Sequence, residues 1–352
     1  MLRVLVVDDS PTVRALLADI LQGDPEITVV GEARDGVEAV EMAKRFSPQL
    51  VTMDVHMPRM DGLEATKAIM LEAPTRIIIV TASLDEHEVA TSLQALRAGA
   101  LCVLRKPPGP AAPGHASESR QLLETVRAMA EVKVPGHTRA AEPAPVNGGT
   151  RVVALAASTG GPGALHRILS ELPCDFGVPV LAVQHMSRGF IPGLVSWLNA
   201  GTALRVKIAE AGEALAPGVV YLAPDGRHLG VGRGVRVTLS DEAPVRGFRP
   251  AASYLFESVA HAFGFGVVAA ILTGMGDDGV VGLGAVRRAG GYVLAQDEPS
   301  SVVFGMPGAA VAAGVVDEVL PLRDVSERLL ALLTGPRLRS AGARSYGSGG
   351  NR

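Results

Sequence analysis

Acidic side chains, a threonine and a lysine follow short apolar runs in the first part of the chain. Asp8 and Asp9 follow Val4–Val7, Asp54 follows Leu50–Met53, Thr81 follows Ile77–Val80, and Lys106 ends a fifth run. The carboxyl ends of parallel strands meet at one edge of a sheet, where ligands bind, so we expect these side chains to lie together. Carboxylates this close repel one another unless a hard cation such as Mg²⁺ lies between them. The spacing predicts a Mg²⁺ site in which Asp54 could accept a phosphoryl group, Lys106 could pair with its charge, and the Thr81 hydroxyl could bind a phosphoryl oxygen.

A serine, a histidine and an aspartate follow similar runs in the second part of the chain. Ser158 follows Val152–Ala157 in a Gly-rich turn, His185 follows Val178–Gln184, and Asp278 comes soon after Val267–Thr273. A serine hydroxyl needs an imidazole to take its proton and a carboxylate to orient that imidazole. The three residues therefore predict nucleophilic attack on a carbonyl group. The N–H groups of the serine turn and of Met275 could bind the oxyanion that forms.

Other interpretations of these residues stay open on sequence grounds. The Gly-rich turn could bind the phosphate of a nucleotide, although the G-x-G-x-x-G spacing and the P-loop lysine are both missing. Ser158 and Asp278 could instead be helix caps, and His185 a structural histidine. The chain order Ser, His, Asp differs from that of the α/β-hydrolases, the chymotrypsin-like enzymes and the subtilisin-like enzymes. None of these three families fits.

Two domains are expected, because 352 residues exceed the usual size of a single hydrophobic core. Apolar runs alternate with helical patterns from residue 3 to 107 and again after residue 150, which is typical of the α/β class. We predict a first domain over residues 1–132, a flexible linker over 133–149, a catalytic domain over 150–335 and a disordered tail over 336–352. The second domain should be a doubly wound three-layer αβα structure with a mostly parallel sheet and an antiparallel hairpin at residues 229–240.

Composition narrows the class of protein further. Hydrophobic residues make up 47% of the chain, which is enough for both domains to bury a core. The formal net charge is −3 and there is no long basic run, which disfavours nucleic-acid binding. No signal peptide or membrane-spanning stretch is recognised, so we expect a cytoplasmic protein without membrane insertion. The two cysteines, Cys102 and Cys174, are predicted to be buried packing residues in a reducing compartment.

The first domain resembles the response-regulator receiver family. The resemblance rests on Asp8-Asp9, the run from Met53 to Gly62, Thr81-Ala82 and Lys106-Pro107. It implies a flavodoxin-like (βα)5 fold, phosphorylation of Asp54 by a sensor histidine kinase, and Mg²⁺ bound by Asp9, Asp54 and the backbone carbonyl of His56. Val103 stands where such receivers usually carry a Tyr or Phe that reports phosphorylation.

The second domain resembles the catalytic part of the CheB family of chemotaxis protein-glutamate methylesterases. The matching segments are Ala157–Gly161, Gln184–Met186, Tyr221–Pro224, Arg249–Ala252, Leu272–Gly279, Ala295–Glu298 and Phe304–Pro307. The resemblance implies that Ser158, His185 and Asp278 form a triad, with Met275 as an oxyanion donor and no cofactor for hydrolysis. The implied substrates are methylated chemoreceptors, whose glutamyl methyl esters would be hydrolysed to glutamate and methanol, with glutamine deamidation as a related activity.

Three further expectations concern control and rival functions. The receiver should cover the esterase site until Asp54 is phosphorylated. Asp277, where the family often has Asn, should raise the cost of ionising its neighbour Asp278. A catalytically silent docking module and a nucleotide-binding regulator remain alternative functions for the second domain.

Overall fold

The first domain is built on a five-stranded parallel sheet. The computed structural model describes residues 1–82, 91, 94–96, 98–130, 152–232 and 234–334, so the predicted linker and tail lie outside the described residues. The elements in chain order are β1 (Leu2–Val7), α1 (Pro11–Gln22), β2 (Ile27–Ala33), α2 (Gly36–Phe46), β3 (Leu50–Met53), α3 (Gly62–Glu72), β4 (Arg76–Thr81), β5 (Cys102–Arg105) and α4 (His115–Ala130). The strand order is β2-β1-β3-β4-β5.

Polar side chains start the first three helices. The Ser10 hydroxyl caps α1, and the Asp35 and Asp61 carboxylates accept N–H groups at the starts of α2 and α3. Apolar side chains from both faces of the sheet pack into two cores against these helices. The arrangement confirms the flavodoxin-like fold, although most of the segment between β4 and β5 lies outside the described residues.

The second domain is a seven-stranded parallel sheet between two layers of helices. Its elements are β6 (Val152–Ala157), α5 (Gly161–Ser170), β7 (Val180–Gln184), α6 (Ile191–Gly201), β8 (Arg205–Ile208), β9 (Val219–Leu222), β10 (His228–Gly232), β11 (Arg236–Ser240), α7 (Ala252–Phe263), β12 (Val267–Ile271), α8 (Val280–Arg288), β13 (Tyr292–Gln296), α9 (Met306–Ala312), β14 (Glu318–Leu320) and α10 (Leu322–Thr334). The strand order is β14-β13-β12-β6-β7-β9-β8. One apolar core lies on each face of this sheet, which confirms the three-layer prediction.

The sheet order brings the candidate site residues together. β6 lies in the middle, with β12 on one side and β7 on the other, and all three run parallel. The carboxyl ends of these strands precede Ser158, His185 and the segment that leads to Asp278. The three side chains therefore start from adjacent strands at one edge of the sheet.

Several details differ from the sequence predictions. β8 was not predicted; it is short and pairs with β9 at the edge of the sheet. The predicted hairpin is present as β10 and β11, which form a two-stranded sheet of their own. Cys102 is buried as predicted, but the prediction for Cys174 was wrong, because this side chain is exposed. Among the described residues, no helix has both the length and the apolar character needed to cross a membrane.

Candidate active site

The predicted receiver pocket forms at the carboxyl end of the first sheet. Carboxylate oxygens of Asp8, Asp9 and Asp54 lie within 4.8 Å of one another. Lys106 Nζ lies 2.7 Å from Asp8 Oδ2 and 3.0 Å from Asp54 Oδ2. Thr81 is buried at the end of β4, and the ring of His56 is exposed.

The electrostatics of Asp54 fit a cation-binding pocket. Burial, with a smaller contribution from the nearby charge of Asp8, raises the pKa of Asp54 to about 6 in spite of the opposing effect of Lys106. A buried carboxylate with a raised pKa is stabilised in its charged form by an added cation. Three carboxylates supply the hard oxygen ligands that Mg²⁺ prefers, so the residues present fit this metal.

Backbone contacts fix Ser158 between β6 and α5. Its N–H donates to the carbonyl of Thr273 at 3.0 Å, and its own carbonyl accepts the N–H of Gly161 at 2.8 Å. Gly160 is the N-cap residue of helix α5, which has no side-chain cap, so the Ser158 hydroxyl does not cap this helix. Ser158 is half-buried and lines a cavity together with His185.

Asp278 is fully buried and faces His185. Its Oδ2 lies 3.0 Å from His185 Nε2, which is within ion-pair distance. The angle between the two groups does not meet the geometry of a hydrogen bond. Asp278 Oδ2 also accepts the N–H of Ala252 at 2.6 Å, and Oδ1 accepts the N–H of Ser253 at 3.0 Å. Asp278 thus caps the neighbouring helix α7, whereas the N-cap residue of the helix that follows it, α8, is Gly279.

The Asp278 carboxylate is held in its charged form. Burial raises its pKa, but His185 and the two backbone N–H groups at the start of α7 more than offset this and bring the pKa below its ordinary value. The exposed carboxylate of Asp277 forms an ion pair with Arg246, and the main causes of the Asp278 shift are other groups. The expected effect of Asp277 on the ionisation of Asp278 stays a prediction.

The remaining ring nitrogen of His185 is available for proton transfer. Nδ1 is buried and has no hydrogen-bond partner among the described residues. The ring stacks on Phe248 with centroids 4.1 Å apart and planes 10° apart. Since Nε2 faces Asp278, Nδ1 is the nitrogen that can accept the proton of the Ser158 hydroxyl. The structure has no Ser158–His185 hydrogen bond, and such bonds often form only when substrate is present.

A second strand end packs closely on the serine turn. The Thr273 hydroxyl donates to the carbonyl of Thr159 at 2.8 Å. A Cβ atom on Gly274 would lie 2.6 Å from the Ser158 Cβ, so only glycine fits there. Met275 follows and lines the cavity, and its N–H has no acceptor among the described residues. This N–H is a candidate donor to an oxyanion.

Comparison with known proteins identifies the family. The model of the CheB methylesterase family matches residues 153–329, and the model of the response regulator receiver domain matches residues 4–112. The chain belongs to the CheB methylesterase family. A Myxococcus xanthus relative named protein-glutamate methylesterase/protein-glutamine glutaminase 4 is 56% identical over 345 residues, covering 95% of this chain and 98% of the relative.

Other CheB-family proteins agree with this assignment. An Anaeromyxobacter dehalogenans relative named protein-glutamate methylesterase/protein-glutamine glutaminase 3 is 52% identical over 338 residues, covering 94% of this chain and 98% of the relative. The crystal structure of the Thermotoga maritima CheB methylesterase catalytic domain matches with a TM-score of 0.51 and 38% identity. The match covers 52% of this chain and 98% of the Thermotoga maritima chain.

Gln184 is a site residue of this CheB-family chain that the sequence did not reveal. Its Nε2 donates to the carbonyls of Ser158 at 2.7 Å and His185 at 2.9 Å. It therefore joins the segments that carry the two reacting side chains. Its position at the end of a buried strand was a signal, because a buried amide needs polar partners.

The cavity of this CheB-family chain lies between the two domains. It has a volume of about 360 Å³ and is lined by residues of the receiver as well as of the esterase domain. From the receiver, β5 contributes Val103 and α4 contributes Glu124. Val103 packs against the receiver core and also against a core of the esterase domain. The receiver thus covers part of the candidate active site.

Proposed function

We propose that this chain is a phosphorylation-activated protein-glutamate methylesterase that also deamidates protein glutamine. The names of its relatives support this activity. The observation that carries the proposal is the placement of Ser158 and His185 in one cavity, with His185 facing a buried, ionised Asp278. The proposed substrates are glutamyl methyl esters of chemoreceptors, met on the cytoplasmic side of the membrane.

The proposed reaction proceeds through an acyl-serine intermediate. Ser158 Oγ attacks the ester carbonyl carbon as its proton passes to His185 Nδ1, and Asp278 stabilises the imidazolium. The Met275 N–H binds the oxyanion. Collapse of the tetrahedral intermediate breaks the bond to the methoxy group, which takes the proton from His185 and leaves as methanol. Water then attacks the acyl-serine with His185 as base, which frees the glutamate carboxylate and restores Ser158.

We propose that the receiver controls access to this site. A sensor histidine kinase would supply the phosphoryl group to Asp54, in a pocket completed by Asp8, Thr81 and Lys106. Asp9, Asp54 and the backbone carbonyl of His56 would hold Mg²⁺, which would neutralise charge around the phosphoryl group. The proposed boundaries are residues 1–132 for the receiver, 133–149 for the linker and 150–335 for the esterase.

Methanol release from methylated receptor membranes tests the activity. We expect the Ser158→Ala protein to lose at least about a thousandfold of the rate. A phosphodonor should raise the rate of the original chain, and an Asp54→Asn protein should keep the basal rate without responding. Undiminished methanol release by Ser158→Ala would contradict the esterase assignment. A silent docking module would release no methanol, and a nucleotide-binding regulator would show saturable ATP binding by calorimetry.

A further inference from the structure

The loop between β11 and α7 brings an arginine to the cavity. Arg249 lines the cavity with Ser158 and His185, and the preceding Phe248 stacks on the His185 ring. Arg249 Nη1 donates to the carbonyls of Asp241 at 2.9 Å and Glu242 at 3.1 Å. The guanidinium is therefore fixed by the start of its own loop.

A buried histidine fixes the same loop at two further points. His228 Nε2 lies 3.2 Å from the carbonyl of Ala243, and Nδ1 accepts the N–H of Ala251 at 3.2 Å. His228 is fully buried and stacks on Tyr254. With both of its nitrogens engaged, this ring holds the segment that carries Arg249 in one position.

Arg249 keeps an unused donor and an unpaired charge. Its Nε is buried and has no hydrogen-bond partner among the described residues. Its two hydrogen bonds go to neutral carbonyls, and it forms no ion pair with any described carboxylate. A partly buried cation without a carboxylate partner is unfavourable, and so is a buried donor without an acceptor. A carboxylate would satisfy both.

The charges around the cavity point to the same ligand. Among the described lining residues of the esterase domain, Arg249 is the one with a permanent charge, and none is acidic. Across the cavity the receiver contributes Glu124, the one carboxylate among the described lining residues. The permanent charge that the esterase domain contributes to the described lining of the cavity is therefore positive, and it lies in the same cavity as Ser158.

We propose that Arg249 is a specificity-determining residue that binds an acidic side chain of the substrate next to the scissile glutamyl ester. The inference rests on the proposed esterase function and adds a preference to it. In the closed arrangement, Glu124 presents the receiver's own carboxylate to the same cavity. The enzyme then acts fastest on methyl esters that lie in acidic segments.

Two helical peptides with one glutamyl methyl ester each test this inference. One has glutamate one turn before and one turn after the ester, and the other has asparagine at both positions. The full-length chain is supplied with Mg²⁺ and acetyl phosphate, and methanol release gives kcat/KM for each peptide. We expect the acidic peptide to be preferred about tenfold, mainly through KM, since a hydrogen bond to a charged group that forms when the substrate binds raises affinity before the chemical step.

Variants separate a specific role from a structural one. Arg249→Gln should remove the preference, and Arg249→Lys should keep part of it. Arg246→Gln is the matched control, because Arg246 lies on the same loop but pairs with exposed Asp277 and does not line the cavity. It should keep the full preference. A damaged loop would slow both peptides equally, so an unchanged ratio in Arg249→Gln overturns the inference.

The outcomes distinguish this inference from the function on which it rests. Equal rates of the original chain on both peptides would overturn the role of Arg249 and leave the esterase assignment standing. Hydrolysis of neither peptide, together with no methanol release from receptor membranes, would refute the esterase function itself.

Discussion

Backbone N–H groups stabilise the charge on which the candidate triad depends. Asp278 accepts from Ala252 and Ser253 at the start of α7, where the helix dipole favours an anion. The same carboxylate faces His185 and has a lowered pKa. Asp278 is therefore ionised across the neutral range and can stabilise an imidazolium without taking its proton.

Replacing Asp278 with asparagine tests this arrangement. The Asp278→Asn protein keeps the size of the side chain but loses the charge and one of the two acceptor oxygens used by α7. We expect kcat for methanol release to fall by about 10³- to 10⁴-fold, as loss of a triad carboxylate does elsewhere. Unfolding in urea should show a loss of about 1 kcal/mol from the weakened helix cap.

Asp277→Asn is the matched control for that variant. Asp277 is adjacent in sequence, but its carboxylate is exposed and pairs with Arg246. Its replacement should leave kcat within about twofold, since exposed ion pairs contribute little. Equal losses in the two proteins would show that Asp278 has no special part in the reaction.

Residue types and strand ends predicted the candidate residues but not their partners. Ser158, His185 and Asp278 follow apolar runs, and parallel strands end at one edge, so their convergence follows from the sequence pattern. The hydrogen bonds of Gln184 and the cavity position of Arg249 depend on how distant loops fold back. The local pattern indicates that a buried amide such as that of Gln184 needs polar partners, but it does not identify those partners.

At the scale of elements, the nucleophile turn is shaped by the strand end beside it. The turn between β6 and α5 packs against Gly274, which follows β12. The Gly274 N–H donates to Val303 at 2.9 Å, and its carbonyl accepts the N–H of Met306 at 2.8 Å. This backbone cannot move aside easily, so a larger residue at position 274 must displace the serine turn.

Gly274→Ala should therefore impair the reaction more than the fold. The added Cβ would lie 2.6 Å from Ser158 Cβ and 2.5 Å from Met306 Sδ. We expect kcat for methanol release to fall by about a hundredfold, because small displacements of a reacting group cost about that much. Circular dichroism should show unchanged secondary structure.

Gly163→Ala provides the comparison for that glycine. Gly163 lies in α5, and an added Cβ there would meet nothing within 4 Å. Alanine should stabilise the helix by about 0.5 to 1 kcal/mol and leave kcat unchanged. The steric argument fails if the Gly274→Ala protein is as active as this control.

Most elements could be predicted from the sequence, and the exceptions have physical reasons. Buried strands such as β6 and β12 consist almost entirely of apolar residues, which is typical of a parallel sheet covered on both faces. β8 has only four residues, with Arg205 exposed at its start, so its pattern is too short to distinguish from a loop. Its pairing with β9 comes from tertiary structure.

At the scale of the whole molecule, apolar side chains of each domain pack against a core of the other domain. Leu96 and Val103 of the receiver pack against a core of the esterase domain. Val302 and Val303 of the esterase domain pack against a core of the receiver. Val303 also accepts the Gly274 N–H beside the nucleophile turn. The closed arrangement is thus stabilised by side chains that the linker composition could not have revealed.

A charge placed in this interface should favour the open arrangement. In a Val103→Glu protein, closure would bury a carboxylate against apolar side chains, which is costly without a partner. We expect the rate of methanol release without a phosphodonor to rise about tenfold, which corresponds to roughly 1.4 kcal/mol lost from the closed state. The further increase produced by acetyl phosphate and Mg²⁺ should shrink by a similar factor.

Leu71→Glu distinguishes this effect from a general effect of added charge. Leu71 is 83% exposed at the end of α3 and does not line the cavity, so its replacement should leave the basal rate and the response to phosphodonor unchanged. Phosphate incorporation at Asp54 checks that the Val103→Glu receiver is folded.

A folded Val103→Glu protein with an unchanged basal rate would mean that the receiver contact does not limit access to Ser158. The effect of phosphorylation would then have to act on the serine turn itself, for which the Val303–Gly274 hydrogen bond offers a direct route.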